Sequence, residues 1–538
     1  MKRTIALLAA LVLVLSLAAG CGSPSPSSTP AASPTASAPA STAPASTAPT
    51  TDNANIPTID WHVDHAPQPD NQAMNDALNA YIEPLIGCKV NIHFYTPADY
   101  QNKVSVMVSS GQDFGIVAYG GDLPYLTNAQ AGAFYPMDKL FATDAPKTKA
   151  LFPDSTWGCM TVNGNIYGIP SLKDNCYIIS MLYNKTLADK IGVTQDELNS
   201  FTYFGDPKTE QLLNDIMDKR DAALGKLPEP LFWYVQLETP YWFACENFLG
   251  WDTCNAVACI PGINDFADHT NPDDVFNLYA TPEYKAACEA RWREVQRGIF
   301  LSSPDEYNTS ASMQFDGNVF GFPGWGYTYV GPDLFSTDWE AAQVMSNRLW
   351  TDSSNFYGAG NAIAANCKYP DKAMQFLELV NNDPTVATML RFGVEGLDYK
   401  LDSNGDISFD GTNNADKTNP GNYYWYGSNF GNLTIVKAPP SLSGPNNIML
   451  TTMAEDNQKA LPAAHMGFVL NTDPISSEIA ACNNVVAQYK DMLRYGSLSS
   501  QAEVDAKIDE FNAALMANGE QKILDEIKTQ LAAWEASK

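Results

Sequence analysis

Basic side chains are scarce in this 538-residue sequence: 32 lysines and arginines stand against 61 aspartates and glutamates, a formal net charge of −29. A surface of that sign repels phosphate backbones and anionic lipid, so nucleic acid is not an expected partner and acidic ligands gain no long-range attraction. Histidine is rarer still. His62, His65, His93, His269 and His465 fall into no HxxxH or HExxH spacing, which gives no support to a catalytic metal. No CxxC pair is present; Cys254 and Cys259 are the closest, with no histidine nearby, so a zinc site is not expected. GxSxG, GxxxxGK[ST] and a GxGxxG after the first strand are all missing, which removes the nucleophile elbow, the P-loop and the dinucleotide fingerprint. The stretch Asp402-Ser403-Asn404-Gly405-Asp406 begins like a calcium loop, but Asn413 stands where the closing glutamate would be, and a hairpin turn is expected instead. Abundant carboxylates leave a glycosidase-like acid pair as an open alternative. Past the first twenty residues no apolar run reaches the ~18 residues of a membrane-spanning helix.

The amino-terminal run is short and has its own logic. Lys2 and Arg3 precede an apolar stretch from Ile5 to Leu17, and Ala18-Ala19-Gly20 supplies a small-residue cleavage context, the pattern of a secretory signal peptide. Leu17-Ala18-Ala19-Gly20-Cys21 resembles the lipobox of bacterial lipoproteins, although Ala18 stands at the usual leucine position. The resemblance implies that Cys21 carries a diacylglycerol and becomes the first mature residue; each buried CH₂ contributes about 0.8 kcal/mol to anchoring. Residues 22–55 are Ser, Thr, Pro and Ala with almost no charge and no large apolar side chain. Such a segment cannot bury enough surface to offset chain entropy, and reads as a disordered, fairly extended tether.

About 480 residues remain, too many for one core, so two or more lobes are expected. Of ten cysteines, the nine other than Cys21 are scattered in apolar contexts, as small core residues and mostly free thiols. The pattern opens as a strand over Pro57–Asp64 and a helix with Met74, Ala77, Leu78, Tyr81 and Ile82 on one face. Val90, Ile92 and Phe94 then alternate as a second strand. Asp99 is the expected N-cap of a helix ending at Gly111, and a third strand runs over 114–119. This βαβαβ order predicts an α/β domain with a largely parallel sheet, whose ligands meet the loops after the strands' carboxyl ends, here 65–71 and 120–125. Residues 164–185 form two short apolar runs joined by a polar bridge, Ser171–Asn175, and are read as a passage from one lobe to another. An aromatic- and loop-rich region follows to about 350. A Gly-rich turn, strand and helix occupy 356–383, and the carboxyl end is helical, with stripes from Ile479, Val504 and Ile523 onward.

In succession, SSGQDFGIV (109–117), YPMDKLF (135–141), VNGNIYGIPS (162–171), MLYNKTLADKIG (181–192) and AIAANCKYPDKAMQFLELVNND (362–383) resemble the extracellular solute-binding lipoproteins of ATP-driven importers. These are the family 1, carbohydrate-type substrate-binding proteins of ABC transporters. RFGVEGLDYKLDSNGDISF (391–409) and GFVLNTDPISSEIAACNNVVAQY (467–489) resemble a Gram-positive subfamily with a carboxyl-terminal domain of unknown function. The resemblance implies a two-lobed, periplasmic-binding-protein-like α/β fold of class II type with discontinuous lobes, a hinge and a helical tail. Lobe one would be 56–170 plus 357–440, and lobe two 171–356 plus 441–538. It also implies a monomer on the outer face of the cell membrane that captures a carbohydrate, an oligosaccharide, between its lobes and delivers it to permease subunits, with no cofactor, no metal and no catalysis. A peptide or other solute, a sensory role, or a surface glycan-active enzyme or adhesin are the alternatives.

Sugar rings pack their C–H faces on aromatic side chains. Aromatics in Gly-rich or polar loops are therefore candidate contacts: Tyr119, Trp325, Tyr327, Trp350, Tyr357, Tyr424 and Trp425. By position in the family, Tyr119 and Asp122 after the third strand, Asp174 and Asn175 in the bridge, and Asp64 and His65 after the first strand join them.

Overall fold

The structure, a computed structural model, describes residues 56–177, 179–201, 205–232, 245–247, 249, 257–261, 274–302, 318–325, 339–345, 349–414, 423, 430–439 and 448–538. Cys21 and the tether lie outside the described residues, as do Tyr327, Tyr424 and Trp425.

The first core grows from the predicted βαβαβ. Strand β1 (Thr58–Asp64) sends Ile59, Trp61 and Val63 inward. It pairs in parallel with β2 (Lys89–Tyr95) from Thr58↔Lys89 to Asp64↔Tyr95. Between them α1 (Asn71–Ile86) buries Met74, Leu78 and Ile82 and ends at Gly87, whose φ of 64° permits the left-handed cap. The exposed edge of β2 is covered from α1: Asn79 Nδ2 donates to the Val90 carbonyl at 2.8 Å and its Oδ1 accepts from the Val90 N–H at 2.7 Å. That amide stands in for a further strand and blunts the sheet edge.

The next helical stretch, 97–109, is capped by Thr96, not by Asp99 as expected. The Thr96 hydroxyl accepts from the Asp99 N–H at 3.3 Å and Pro97 takes the first turn, so Asp99 sits inside the helix. Its middle, Tyr100–Val104, is a π turn that buries both end residues. Strand β3 (Ile116–Gly120) then joins β1 in parallel through Trp61↔Ile116.

Strand β4 (Ile169–Pro170) belongs to the same sheet, at its far edge. The sheet's remaining member arrives much later in the chain, after a second core has been built. That core contains β5 (Ile179–Asn184), α2 (Pro207–Leu224), α3 (Pro282–Gln296), β6 (Gly321–Trp325) and β7 (Trp339–Met345). Here β5 is the centre of an antiparallel sheet, flanked by β6 and β7. This second sheet was not read from the sequence.

Strand β8 (Ala359–Ile363) returns to the first sheet and inserts antiparallel between β3 and β4, giving the order β2-β1-β3-β8-β4. Trp61 Nε1 donates to Asn361 Oδ1 at 2.9 Å across this sheet, joining its first and last-arriving segments. Helix α4 (Pro370–Asn382) covers one face with Ala373, Phe376, Leu377 and Val380, as its stripe predicts. Burial of each large member contributes about 1.5–3 kcal/mol. The DSNGD stretch closes a hairpin, Lys400–Leu401 against Ile407–Ser408.

Helix α5 (Ile448–Lys459) packs Leu450 and Met453 on the first core. The terminal helices α6 (Ser476–Arg494), α7 (Gln501–Ala517) and α8 (Glu520–Glu535) pack on the second. There Arg293 holds Glu210 through two nitrogens, at 2.6 and 2.8 Å, tying α3 to α2, and Arg291 donates to the Arg494 carbonyl at 2.8 Å.

Core membership changes three times along the chain. Ile166 and Ile169 lie in the first core and Tyr183 in the second; Phe320 lies in the second and Phe356 in the first; Met453 lies in the first and Phe468 in the second. The three crossing segments meet side by side. Tyr177 N–H donates to the Trp350 carbonyl at 2.8 Å. From the other side Leu461 N–H donates to Leu349 at 3.0 Å and Ala463 N–H to Thr351 at 2.7 Å. The sequence reading placed the passages at 170/171, 356/357 and 440/441; the last change of core comes later than that, between Met453 and Phe468.

Candidate functional site

The carboxyl ends of β1 and β3 open into a cleft of about 210 Å³ lined by Asp64, Tyr100, residues 118–123, Gly358 and Ala359. Each wall has a local cause. Asp64 is the last residue of β1, placed by the same alternation that buries Trp61 and Val63 on the opposite side. Asp122 lies on a tight turn in which Gly120 and Leu123 exchange backbone hydrogen bonds at 3.1 and 3.2 Å. Tyr100 is brought to the floor by the π turn, and its hydroxyl donates to the Ala118 carbonyl. A π turn adds a residue to the helical repeat and so re-aims a side chain, a device often found at functional sites.

The cleft is acidic. Burial first, and then the neighbouring Asp122 carboxyl, raise Asp64 to about 6. Asp64 Oδ1 is shielded from solvent and has no hydrogen-bond partner. The phenol of Tyr100 is pushed well above its ordinary value by burial and by the adjoining carboxylates. No lysine, arginine or histidine lines the cleft among the described residues. Such a pocket offers acceptors to hydroxyl or ammonium donors and repels anionic groups.

The structure thus brings together Asp64 and Asp122, with the backbone at Tyr119. Other candidates have different roles. The Tyr119 ring is a correction: it is 1% exposed, lies 4.9 Å from the Tyr125 ring, and its hydroxyl donates to the Phe356 carbonyl at 3.4 Å, so no face is free for a ligand. Trp350 is a second correction. It is fully buried at the middle of the three crossings with its ring 4.5 Å from Tyr177. Asn175 is a third. Its amide donates to the Ser171 and Asn355 carbonyls at 3.2 and 3.4 Å and accepts from Lys173 N–H at 2.8 Å, which uses its polar atoms within the crossing. Asp174 pairs with Lys173 at 2.8 Å. His65 stands edge-on to Phe94, 6.2 Å between centroids, in the loop beyond Asp64. Tyr357 adjoins the cleft residue Gly358. Half-buried, it stacks on Tyr125 at 5.8 Å and donates to the Cys159 carbonyl at 3.0 Å. Trp325 closes β6 opposite Ile179.

Sequence reasoning missed Tyr100, Tyr177, Asp352 and Asn457. Asp352 is fully enclosed and accepts from Tyr177 Oη at 2.9 Å and from the Ser354 hydroxyl at 2.6 Å, while burial raises its carboxyl. An aspartate followed by Ser353 and Ser354 in an irregular stretch resembles any turn, and nothing local marks it as buried.

Comparison with known proteins gives the arrangement a family. Residues 76–394 match the model described as bacterial extracellular solute-binding protein, and residues 464–536 match a domain of unknown function (DUF3502). A carbohydrate ABC transporter substrate-binding protein of Streptococcus pneumoniae serotype 4 (strain ATCC BAA-334 / TIGR4) is 26% identical over 468 residues, spanning 84% of this chain and 86% of that protein. The crystal structure of the N-glycan transport solute binding protein NgtS from Streptococcus pneumoniae superposes with a TM-score of 0.71 at 21% identity, covering 89% of this chain and 98% of that one. Its complex with Man5GlcNAc gives 0.63 at 21% identity, covering 90% and 99%. These neighbours share the two-lobed fold that the paired cores and crossing segments build here. The chain belongs to the bacterial extracellular solute-binding proteins.

Proposed function

We propose that the protein is the substrate-binding component of an ABC importer and captures a carbohydrate, an oligosaccharide, between its lobes. The observation that carries this reading is the likeness over nine-tenths of the chain to a solute-binding protein of N-glycan transport, solved with an oligosaccharide bound. The cleft supports it in its own terms. Its carboxylates face outward from the carboxyl ends of a mostly parallel sheet, where open α/β sheets meet ligands, and they suit hydroxyl donors. Asp64, Asp122 and Tyr357 are the proposed contacts among the described residues, with Trp325, Tyr327, Tyr424 and Trp425 as proposed stacking platforms.

Lobe one is proposed to comprise 56–170, 357–440 and also α5, because Leu450 and Met453 pack on the first core. Lobe two comprises 171–356 and the chain from about 464 onward. Ligand binding closes the lobes about the three crossings. Cys21 carries the lipid anchor, residues 22–55 form the tether, and the monomer presents its closed state to the permease.

Titration calorimetry against a glycan panel tests the reading. Micromolar or tighter binding of an oligosaccharide is expected; no sugar binding alongside tight peptide binding would move the protein to a peptide importer, and turnover of a glycan would make it an enzyme.

A further inference from the structure

We propose that Asn457 is a positioning residue for lobe closure, joining the first crossing to the helix that carries the third. The inference rests on the reading of the protein as a cleft-closing binding protein. Asn457 lies near the end of α5, and its side-chain amide bonds two backbone groups of the bridge, the Asn175 N–H, which also donates to the Lys173 carbonyl at 2.9 Å, and that same carbonyl. Oδ1 accepts from the Asn175 N–H at 2.9 Å, and Nδ2 donates to the Lys173 carbonyl. Two residues past the helix end, Leu461 begins the third crossing and bonds Leu349 of the second, which Ala463 continues on Thr351. Tyr177 then closes the first crossing onto the other edge of the second, through its N–H to Trp350 and its hydroxyl to Asp352.

Helix α5 is therefore the plate on which all three crossings converge. One is joined to it covalently, one through the backbone ribbon, and one through the Asn457 amide. Without that amide the first crossing keeps its bonds to the ribbon at Tyr177 but loses its register on α5. Only Cys176 separates the residue held by Asn457 from the residue held by Trp350, so the present arrangement leaves almost no slack in this segment. A cavity of about 570 Å³ lies against the plate, lined by one or more residues of each crossing (Asn175, Thr351, Pro462) together with Phe152, Phe356 and Ala454. That unfilled space gives the plate room to shift as the lobes rotate, and a side chain placed in it would oppose the shift.

The test uses the full chain, ligand-free and with Man5GlcNAc as probe. In Asn457→Ala, hydrogen exchange at the Asn175 amide should quicken at least tenfold while the Tyr177 amide keeps its protection. Ligand-free small-angle scattering should show a broader range of lobe separations, and affinity for the probe should fall about tenfold with the cleft residues intact. A purely structural role would instead quicken exchange throughout the first core. Asn457→Asp keeps the acceptor for Asn175 N–H and loses the donor to Lys173, so its scattering should lie between wild type and Asn457→Ala. Ala454→Leu, which fills the cavity, should narrow the separations. Unchanged exchange at Asn175, or unchanged scattering in both Asn457→Asp and Ala454→Leu should Asn457→Ala fail to fold, would overturn the assignment. If the wild type ignores Man5GlcNAc while the ligand-free readouts move as expected, the carbohydrate choice fails and the hinge role stands.

Discussion

Replacing Asp122 by asparagine probes the cleft most sharply, because the acid pair leaves a signature in pH. Asp64 is raised from 3.8 to about 6, by burial and then by Asp122. A carboxyl raised in the folded state binds its proton more tightly there than in the unfolded chain. Its contribution therefore favours folding at low pH and is lost as pH rises from about 4 to about 6, with the full penalty present above that window. Two pH units correspond to at most about 3 kcal/mol. Asp64 is only partly shielded, so solvent screening reduces this to about 1 kcal/mol. Asp122→Asn removes the neighbouring charge and keeps a hydrogen-bonding side chain. The variant should match wild type near pH 4 and exceed it at pH 7 by a part of that ~1 kcal/mol, since burial, the larger cause, remains. Urea denaturation at half-unit steps from pH 4 to 7.5 reads this, and a carboxyl NMR titration should show Asp64 moving down in the variant. A wild-type to variant difference that does not change with pH would refute the coupling of the two carboxyls.

Other expectations follow from packing and from the amino terminus. Trp350→Ala empties a fully buried site between the crossings and should cost about 3–5 kcal/mol in urea unfolding; a loss of sugar affinity with unchanged stability would instead return Trp350 to the binding site. Gly360→Ala would place a Cβ 2.2 Å from the Tyr119 hydroxyl and 2.4 Å from the Ile169 carbonyl, so thermal unfolding should show a loss of about 1–3 kcal/mol; an undiminished melting temperature would show that the strands can part there. Cys21→Ser should release the protein from membranes into the medium, measured by fractionation, whereas retention on the membrane would contradict lipid anchoring at that residue.

The first lobe's frame was legible because its periodicities are strong. Met74, Leu78 and Ile82 mark α1, and Phe376, Leu377 and Val380 mark α4, on the faces the structure buries. The Asp99 cap was misplaced because Thr96 followed by Pro97 is also a start signal, and the earlier one prevailed. Tyr119 was taken as a loop aromatic for a more general reason. Glycine beside an aromatic residue was taken as a sign of an open loop, but Gly168 and Gly360 are small because the Tyr119 ring lies against their backbones; a Cβ at Gly168 would meet Tyr119 and Tyr125 at 2.8 Å. The third passage, expected at 440/441, comes after α5 because Leu450 and Met453 pack on the first core, and the stretch Leu461–Phe468 carries Pro462 and no periodic stripe to mark it. Asn457, which holds the first crossing, looked like any polar residue on a helix, since the two backbone groups it bonds lie 282 and 284 positions away. Asp64 and Asp122, by contrast, were expected near one another from position alone, because loops after parallel strands converge wherever that sheet is built, and both line the cleft.

Small-angle scattering of the full chain with and without a saturating oligosaccharide, run beside calorimetry, bears most directly on the central claim. A ligand found by calorimetry should also reduce the radius of gyration, with both effects weakened by removing the Asp64 and Asp122 carboxylates together. A bound oligosaccharide that leaves the radius of gyration unchanged and is indifferent to both substitutions would contradict capture by closure over this cleft.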